Sequence, residues 1–282
     1  MKYYLKPFYK YLIKQQLMSL QYPSGLFGAS HSNVSTGYNK AWIRDNLYEA
    51  MGFESQDIEI IKKTYAALFD VLHRHKEKID WAIKEKPKEK YQYIHARYCP
   101  FTYDEFYEDW GNKQNDAIGG FLYKVGDLYK KGIMVIRDRN DLAMLQKLVY
   151  YLQSIQYWQD PDNGMWEENE ELHASSIGAC LAGLYAVKPL VDVPNVLLEQ
   201  GRKALDSLLP RESPTKETDL ALLSLLYPYN IVSKSQAIAI LSNVEKILVR
   251  QRGVIRYVGD QYYAHNGKEA EWTFGLFPYP LV

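Results

Sequence analysis

Residues 162–190 read DNGMWEENEELHASSIGACLAGLYAVKPL. An Asp-Asn-Gly turn leads into a Trp, then four glutamates within five residues, then a run of small and apolar residues. In that run the apolar positions recur at i, i+3, i+4 and i+7, the period of one helix face. The acidic part leaves two readings open. One of its glutamates is a working acid, or the group is the charged rim of a helix start, with Glu170 and Glu171 favouring the helix dipole.

The helical period recurs at 68–75, 117–131, 141–158, 196–209, 218–228 and 235–251. Breaks fall at PDNG (161–164), DVPN (192–195), PRESPTKE (210–217) and RQRG (250–253), where Gly and Pro punctuate the pattern. Thr218-Asp219 and Ser233 fit helix N-caps. Strand signals are confined to GVIRYVGDQYY (253–263) and YQYIHARY (91–98). Nine or ten paired helices with no break in composition predict an all-α chain forming one domain over residues 1–282. Two connections are long, Tyr22 to Ala41 and Lys84 to Asp109. Loops of that length in a packed domain usually carry function.

The 282 residues carry 34 basic and 34 acidic side chains, so no strong field points to nucleic acid or an anionic membrane. Cys99 and Cys180 make neither a disulfide framework nor a metal site, and Cys180, among small residues, reads as core. The N-terminus never builds an uninterrupted apolar run, and no later segment approaches a membrane span. These features predict a soluble protein of a reducing, cytoplasmic compartment. His31, His95 and His173 lack metal-ligand spacing, and His173 reads as capping or packing. KEKPKEK (84–90) reads as a solvated loop. The 25 tyrosines and 6 tryptophans fit either the edges of a helical core or a pocket in which rings stack on sugar faces.

Four segments place a Trp beside paired polar groups where a loop enters a helix. They are GYNKAWIRDN (37–46), DWGNKQNDA (109–117), GMWEEN (164–169), and the pair GVIRY and EAEWTF between 253 and 274. Loops opening onto one end of a helical barrel would bring them to a single pocket. Its walls would be Trp42, Trp110, Trp166 and Trp272, and its polar groups Arg44, Asp45, Asp116, Glu167, Glu168 and Arg256. That mix suits a polyhydroxyl ligand.

At these residues the chain resembles the glucoamylase family of glycoside hydrolases. AWIRDN is similar to that family's W-x-R-D segment, WGNKQNDA to its W-G-x-x-Q-x-D, and GMWEEN to its W-E-E. IHARY, ELHASSIG, DSLLPRESPTKETDLALLS and EAEWTF add a likeness to the hydrolase-like domain of phosphorylase kinase α and β subunits. The resemblance implies an (α/α)6 toroid, here C-terminally incomplete with its last helices missing. It implies Glu167 as general acid and Glu168 on the aglycone side. Arg44 and Asp45 would bind hydroxyls of the non-reducing-end sugar, with Tyr38 and Trp110 packed around it. Trp42, Asp116, Trp166, Arg256 and Trp272 fall on pocket positions.

The activity so implied is an inverting, exo-acting hydrolysis of α-glucosides that releases glucose. It needs no cofactor and no metal, since proton transfer and electrostatics suffice. Inversion needs a raised acid and a second carboxylate that activates water, and Trp166 and the like charge of Glu168 would raise Glu167. The family carries that base beyond the EAEWTF segment, and no carboxylate follows Glu271. The alternative is therefore a glucan-binding or regulatory module without catalysis. The partners expected are an α-glucan or oligosaccharide, and a second copy or a partner subunit, but neither nucleic acid nor a membrane.

Overall fold

The computed structural model describes residues 7–273 apart from Thr36, Gln56 and Asp109. Its helices are α1 (Pro7–Leu20), α2 (Ile43–Met51), α3 (Ile58–Arg74), α4 (Lys76–Lys84), α5 (Asn115–Lys130), α6 (Arg139–Ile155), α7 (Ala174–Val187), α8 (Asn195–Leu208) and α9 (Lys234–Asn243). Two strands of two residues, β1 (Ala41–Trp42) and β2 (Arg97–Tyr98), pair antiparallel. The stretch WTFGLFPYPLV (272–282), which reads as the start of a helix, lies outside the described residues from Phe274 onward.

The helices divide by how much of their circumference is apolar. In α5 and α7 buried residues occur on every side, the signature of a helix enclosed by others. In α3 and α8 a single stripe is buried (Ile61, Tyr65, Leu68, Phe69 and Leu72 on α3; Leu197, Leu198, Gly201 and Leu205 on α8). This makes α2, α5 and α7 an inner set, backed by α3, α6 and α8, with α4 packed on α6. Glycine sets the spacing of α5 and α7. A Cβ on Gly119 would stand 2.3 Å from the Cys180 amide nitrogen, and one on Gly183 2.3 Å from the Gly119 carbonyl oxygen. A backbone approaches its neighbour that closely only where the residue facing it has no Cβ. One buried apolar cluster, from Leu26 to Ile255, runs through both sets.

Four expected elements differ. The helix predicted at 218–228 is a 3-10 turn, Leu220–Leu225, packed on α7. It starts at Asp219, whose side chain accepts from the Ala221 amide, and Pro228 prevents its extension. The helix predicted at 235–251 ends at Asn243 and continues as a π turn, Val244–Leu248. Ser233 caps α9 as expected, in a capping box with Gln236. The strand signal at 91–98 reduces to β2, which ties the two long loops together by pairing Trp42 with Arg97. That at 253–263 reduces to isolated bridges, one joining Val254 to Trp272.

The inner elements start at a common place. Arg44 and Asp45 sit in the first turn of α2 and Asp116 in that of α5, while Glu167 and Glu168 lie in the loop before α7. Inward-starting helices therefore deliver the polar groups, and the long loops deliver the aromatic ones.

Candidate active site

A cavity of about 410 Å³ opens where these helix starts meet. Tyr38, Trp42, Arg44 and Asp45 line it from the first loop and α2, and Trp110 from the second long loop. Met165, Trp166, Glu167 and Glu168 come from the loop before α7, and Arg256, Tyr262 and Trp272 from the segment after the π turn. The four segments singled out in the sequence thus share one cavity.

Its aromatic wall is built in layers. Tyr38 stacks on Trp42 at 5.6 Å between centroids, and Trp42 meets Trp110 edge-on at 6.2 Å. Arg97, fully buried, lies behind both, its guanidinium carbon 4.6 Å from the Trp110 ring centre, a cation–π contact that stiffens the wall. Opposite, Tyr262 stacks on Trp272, and the hydroxyls of Tyr38 and Tyr262 lie 2.9 Å apart. That contact joins the first loop to the last segment.

Glu167 is held from three directions. Arg44 Nη2 lies 3.3 Å from its Oε1, Gln114 Nε2 donates to the same oxygen at 2.9 Å, and Trp110 Nε1 donates to Oε2. The other guanidinium nitrogen of Arg44 donates to Asp116 Oδ2 at 3.0 Å and to Gln114 Oε1 at 2.9 Å. Burial works against the charge of Arg44, but Asp116 first and then Glu167 hold its pKa above the usual value. Glu167 also has φ +62°, a left-handed conformation rare outside Gly, Asn and Asp, of a kind that clusters at functional sites.

Glu168 has separate partners. Arg256 Nη2 donates to Oε1 at 2.9 Å; Lys216 Nζ and the Tyr257 hydroxyl donate to Oε2 at 2.7 and 2.8 Å. Arg256 is itself fixed by a two-point pair with Asp260, at 2.6 and 2.7 Å. Glu168 also borders a smaller cavity of about 240 Å³ with Asn169, Lys216 and Tyr257.

Several acids in or behind the cavity wall lose solvent. Burial pushes Asp45 up to about 6 against the pull of Arg44. One turn further along α2, burial and then Asp45 push Glu49 up to about 9, and Glu49 Oε2 has no hydrogen-bond partner among the described residues. Burial, then the charge of Glu212, push Asp219 up to about 7. His173 goes the other way in charge. Burial opposes its proton, but Glu212 and then Asp162 hold it up to about 9.

Of the residues expected at the site, all but Asp116 line the cavity. Asp116 lies buried behind the wall and holds Arg44. Glu170 and Glu171 do not sit at the dipole of α7, which starts at Ala174. Glu171 instead accepts from Thr215 Oγ1 at 2.6 Å, and Glu170 faces Lys113 and Lys90 at 3.8 and 3.9 Å. His173 makes no capping hydrogen bond and pairs with Glu212 at 3.4 Å. Cys180 is fully buried, as expected. Sequence reasoning gave no place in the site to Gln114, Met165, Lys216, Asp219, Tyr257 or Tyr262, although it read Asp219 as a helix cap. All six lie within quoted stretches, but only Gln114 holds a lettered position of a family pattern. No group of His, Cys, Asp or Glu among the described residues could hold a metal ion, and no helix among them is long and apolar enough to cross a membrane.

The sequence profile described as Glycosyl hydrolases family 15 matches residues 5–207. The chain belongs to that family. Family 15 membership agrees with the solved structures it resembles. A wild-type glycosidase superimposes with a TM-score of 0.77 at 20% identity, covering 95% of this chain and 78% of that one. A glucoamylase from Saccharomycopsis fibuligera does so with a TM-score of 0.63 at 15% identity, covering 93% and 68%. At these identities the likeness is one of fold. Among curated proteins, a probable phosphorylase b kinase regulatory subunit alpha from Caenorhabditis elegans is 28% identical over 294 residues, 89% of this chain. The liver isoform of that subunit from Oryctolagus cuniculus is 27% identical over 295 residues, 90% of this chain. This family 15 chain spans 23% of the length of each of these relatives.

Proposed function

We propose that the chain is an inverting, exo-acting α-glucoside hydrolase on a six-hairpin (α/α)6 toroid. In this reading the cavity takes the non-reducing-end glucose unit of an α-glucan or oligosaccharide. The observation that carries it is the setting of Glu167, a strained residue in the cavity wall whose carboxylate is aimed by Arg44, Gln114 and Trp110.

Arg44 and Asp45 hydrogen-bond the sugar's hydroxyls, and the rings of Tyr38, Trp42 and Trp110 pack around it. Trp42, buried in the wall, keeps an indole N–H with no acceptor among the described residues, a donor suited to a hydroxyl-rich ligand. Glu167 gives its proton to the glycosidic oxygen as the C–O bond breaks. Water adds to the anomeric carbon from the opposite face, activated by a carboxylate about 6.5–9.5 Å from the acid. Glu168, bordering the neighbouring cavity, faces the leaving sugar. A glycosidase variant in complex with glucose shares the fold, with a TM-score of 0.76 at 21% identity over 95% of this chain, which supports glucose as the unit bound. Two cysteines without a disulfide suit a reducing, cytoplasmic setting.

A second reading is glucan binding without turnover, in a module that works with a partner subunit. One observation favours it. Of the two other carboxylates in the described lining, Glu168 has both oxygens on Arg256, Lys216 and Tyr257, and is not available to activate water. The relatives named as regulatory subunits point the same way.

Glucose release from maltooligosaccharides and isomaltose, by wild type and by Glu167→Gln, separates the two. Release that vanishes in the variant establishes hydrolysis with Glu167 as acid. No release from either protein, with saccharide binding kept in both, establishes the binding module.

A further inference from the structure

The loop that carries Glu167 is closed at its base, where Asp162 and Glu171 exchange two backbone hydrogen bonds at 2.9 Å and Asn163 Nδ2 donates to the Glu168 carbonyl at 2.6 Å, leaving Glu167 in the span between. Its backbone bonds, Glu167 N to Gly164 O at 3.3 Å and Glu168 N to Asn163 O at 3.0 Å, close a turn that contains two left-handed residues, Gly164 and Glu167. Such a conformation persists only when its surroundings over-determine it.

Arg44, Gln114 and Trp110 hold the Glu167 carboxylate, and a second segment holds the residues on either side of it. Asp219 Oδ1 accepts from Trp166 Nε1 at 2.7 Å, and Lys216 Nζ donates to Glu168 at 2.7 Å. Thr215 Oγ1 donates to Glu171 at 2.6 Å, and the Glu212 carbonyl accepts from the Ala174 amide at 2.7 Å. Trp166 and Glu168 are the two neighbours of Glu167, so the segment grips the acid from both sides. It is anchored in turn. Asp219 caps the 3-10 turn through the Ala221 amide at 2.8 Å, Lys216 Nζ stands 3.7 Å from Asp219 Oδ2, and Leu220 N bonds Arg256 O at 2.9 Å. All of it lies beyond residues 5–207, the stretch that the family profile matches.

We propose that residues 212–219 clamp the proton-donor loop, with Asp219 and Lys216 as positioning residues that set where the Glu167 carboxyl meets the leaving oxygen. The part concerning catalysis rests on Glu167 being the acid; the clamp itself does not. Releasing either grip lets the turn relax, so the acid is misplaced while the rings of Tyr38, Trp42 and Trp110 around the sugar stay as they were.

Two measurements on Asp219→Ala and Lys216→Met test this. In hydrogen exchange read by mass spectrometry, residues 162–171 should exchange about tenfold faster than in wild type, with α3 unchanged. In kinetics, kcat on maltose should fall about 10-fold to 100-fold with KM within about threefold. On α-glucosyl fluoride, whose fluoride leaves with little protonation, the loss should stay under about threefold. Lys216→Met keeps the test available if Asp219→Ala does not fold. Unchanged exchange at 162–171 in both variants would overturn the clamp. Equal losses on the two substrates would overturn the positioning role, since a general loss of structure affects both alike. Faster exchange in a protein whose wild type releases no glucose would uphold the clamp and sink the hydrolase reading alone.

Discussion

Gly111 and Glu167 touch backbone to backbone: a Cβ on Gly111 would stand 2.4 Å from the Glu167 carbonyl oxygen. The glycine beside Trp110 is thus a spacer that lets the second long loop lie flat against the loop that carries Glu167. Gly111→Ala must push one of them away. We expect a loss of about 1–3 kcal/mol in chemical denaturation, together with weaker saccharide binding by titration calorimetry. Wild-type stability in this variant would show that the loops are free to part.

The left-handed backbone of Glu167 stores strain that a side chain pays and glycine does not. Glu167→Gly should therefore be more stable than Glu167→Ala by about 1 kcal/mol, although both lose the carboxylate. A thermal melt of the pair isolates the backbone contribution, because the lost contacts are common to both. Equal melting temperatures would mean that the turn relaxes once the carboxylate is gone.

Arg44 is the one cation that both Asp116 and Glu167 face at ion-pair distance among the described residues, at 3.0 and 3.3 Å. Arg44→Met leaves Asp116 buried without its partner, at a cost of about 3–5 kcal/mol. Adding Asp116→Leu should recover a large part of that loss, since the apolar pair needs no countercharge. The double-mutant cycle, followed by urea unfolding, reads the coupling directly; additive losses would contradict it.

Stability should fall as the pH rises from about 5 to 9. His173 has its pKa raised from 6.5 to about 9 in the fold. The stability it contributes is complete below the unfolded value and is lost as the pH climbs through the folded one. Asp219, raised from 3.8 to about 7, acts with the same sign at lower pH, because the folded protein keeps a proton that the unfolded chain has released. His173→Gln should flatten the limb between pH 6.5 and 9 by on the order of 3 kcal/mol. The same slope in wild type and variant, in melts across that range, would remove His173 as its source.

Much of the site could be read before any fold was known. Trp42, Arg44, Asp45, Trp110, Trp166, Glu167 and Glu168 stand in short motifs where loop meets helix, and all of them reach the cavity. What escaped were residues whose role is their partner. Asp219 meets Trp166 across 53 positions, and Lys216 meets Glu168 across 48. Neither spacing leaves a periodic trace. Asp116 shows the same limit from the other side: its motif was legible, but only the packing of α5 against α2 put it behind Arg44 rather than in the wall.

By itself the sequence determined helices α5 to α8 and the start of α9, the caps at Asp219 and Ser233, and the order in which loops carry aromatic and acidic residues. Apolar period, cap chemistry and glycine placement act over a few residues, so a linear chain displays them. Only the tertiary structure decided the role of each glutamate in the 167–171 cluster. Glu167 entered the cavity, Glu168 was neutralised, and Glu170 and Glu171 became struts. Where a carboxylate ends up depends on the solvent it loses and the cations it meets, and both are set by residues far away along the chain.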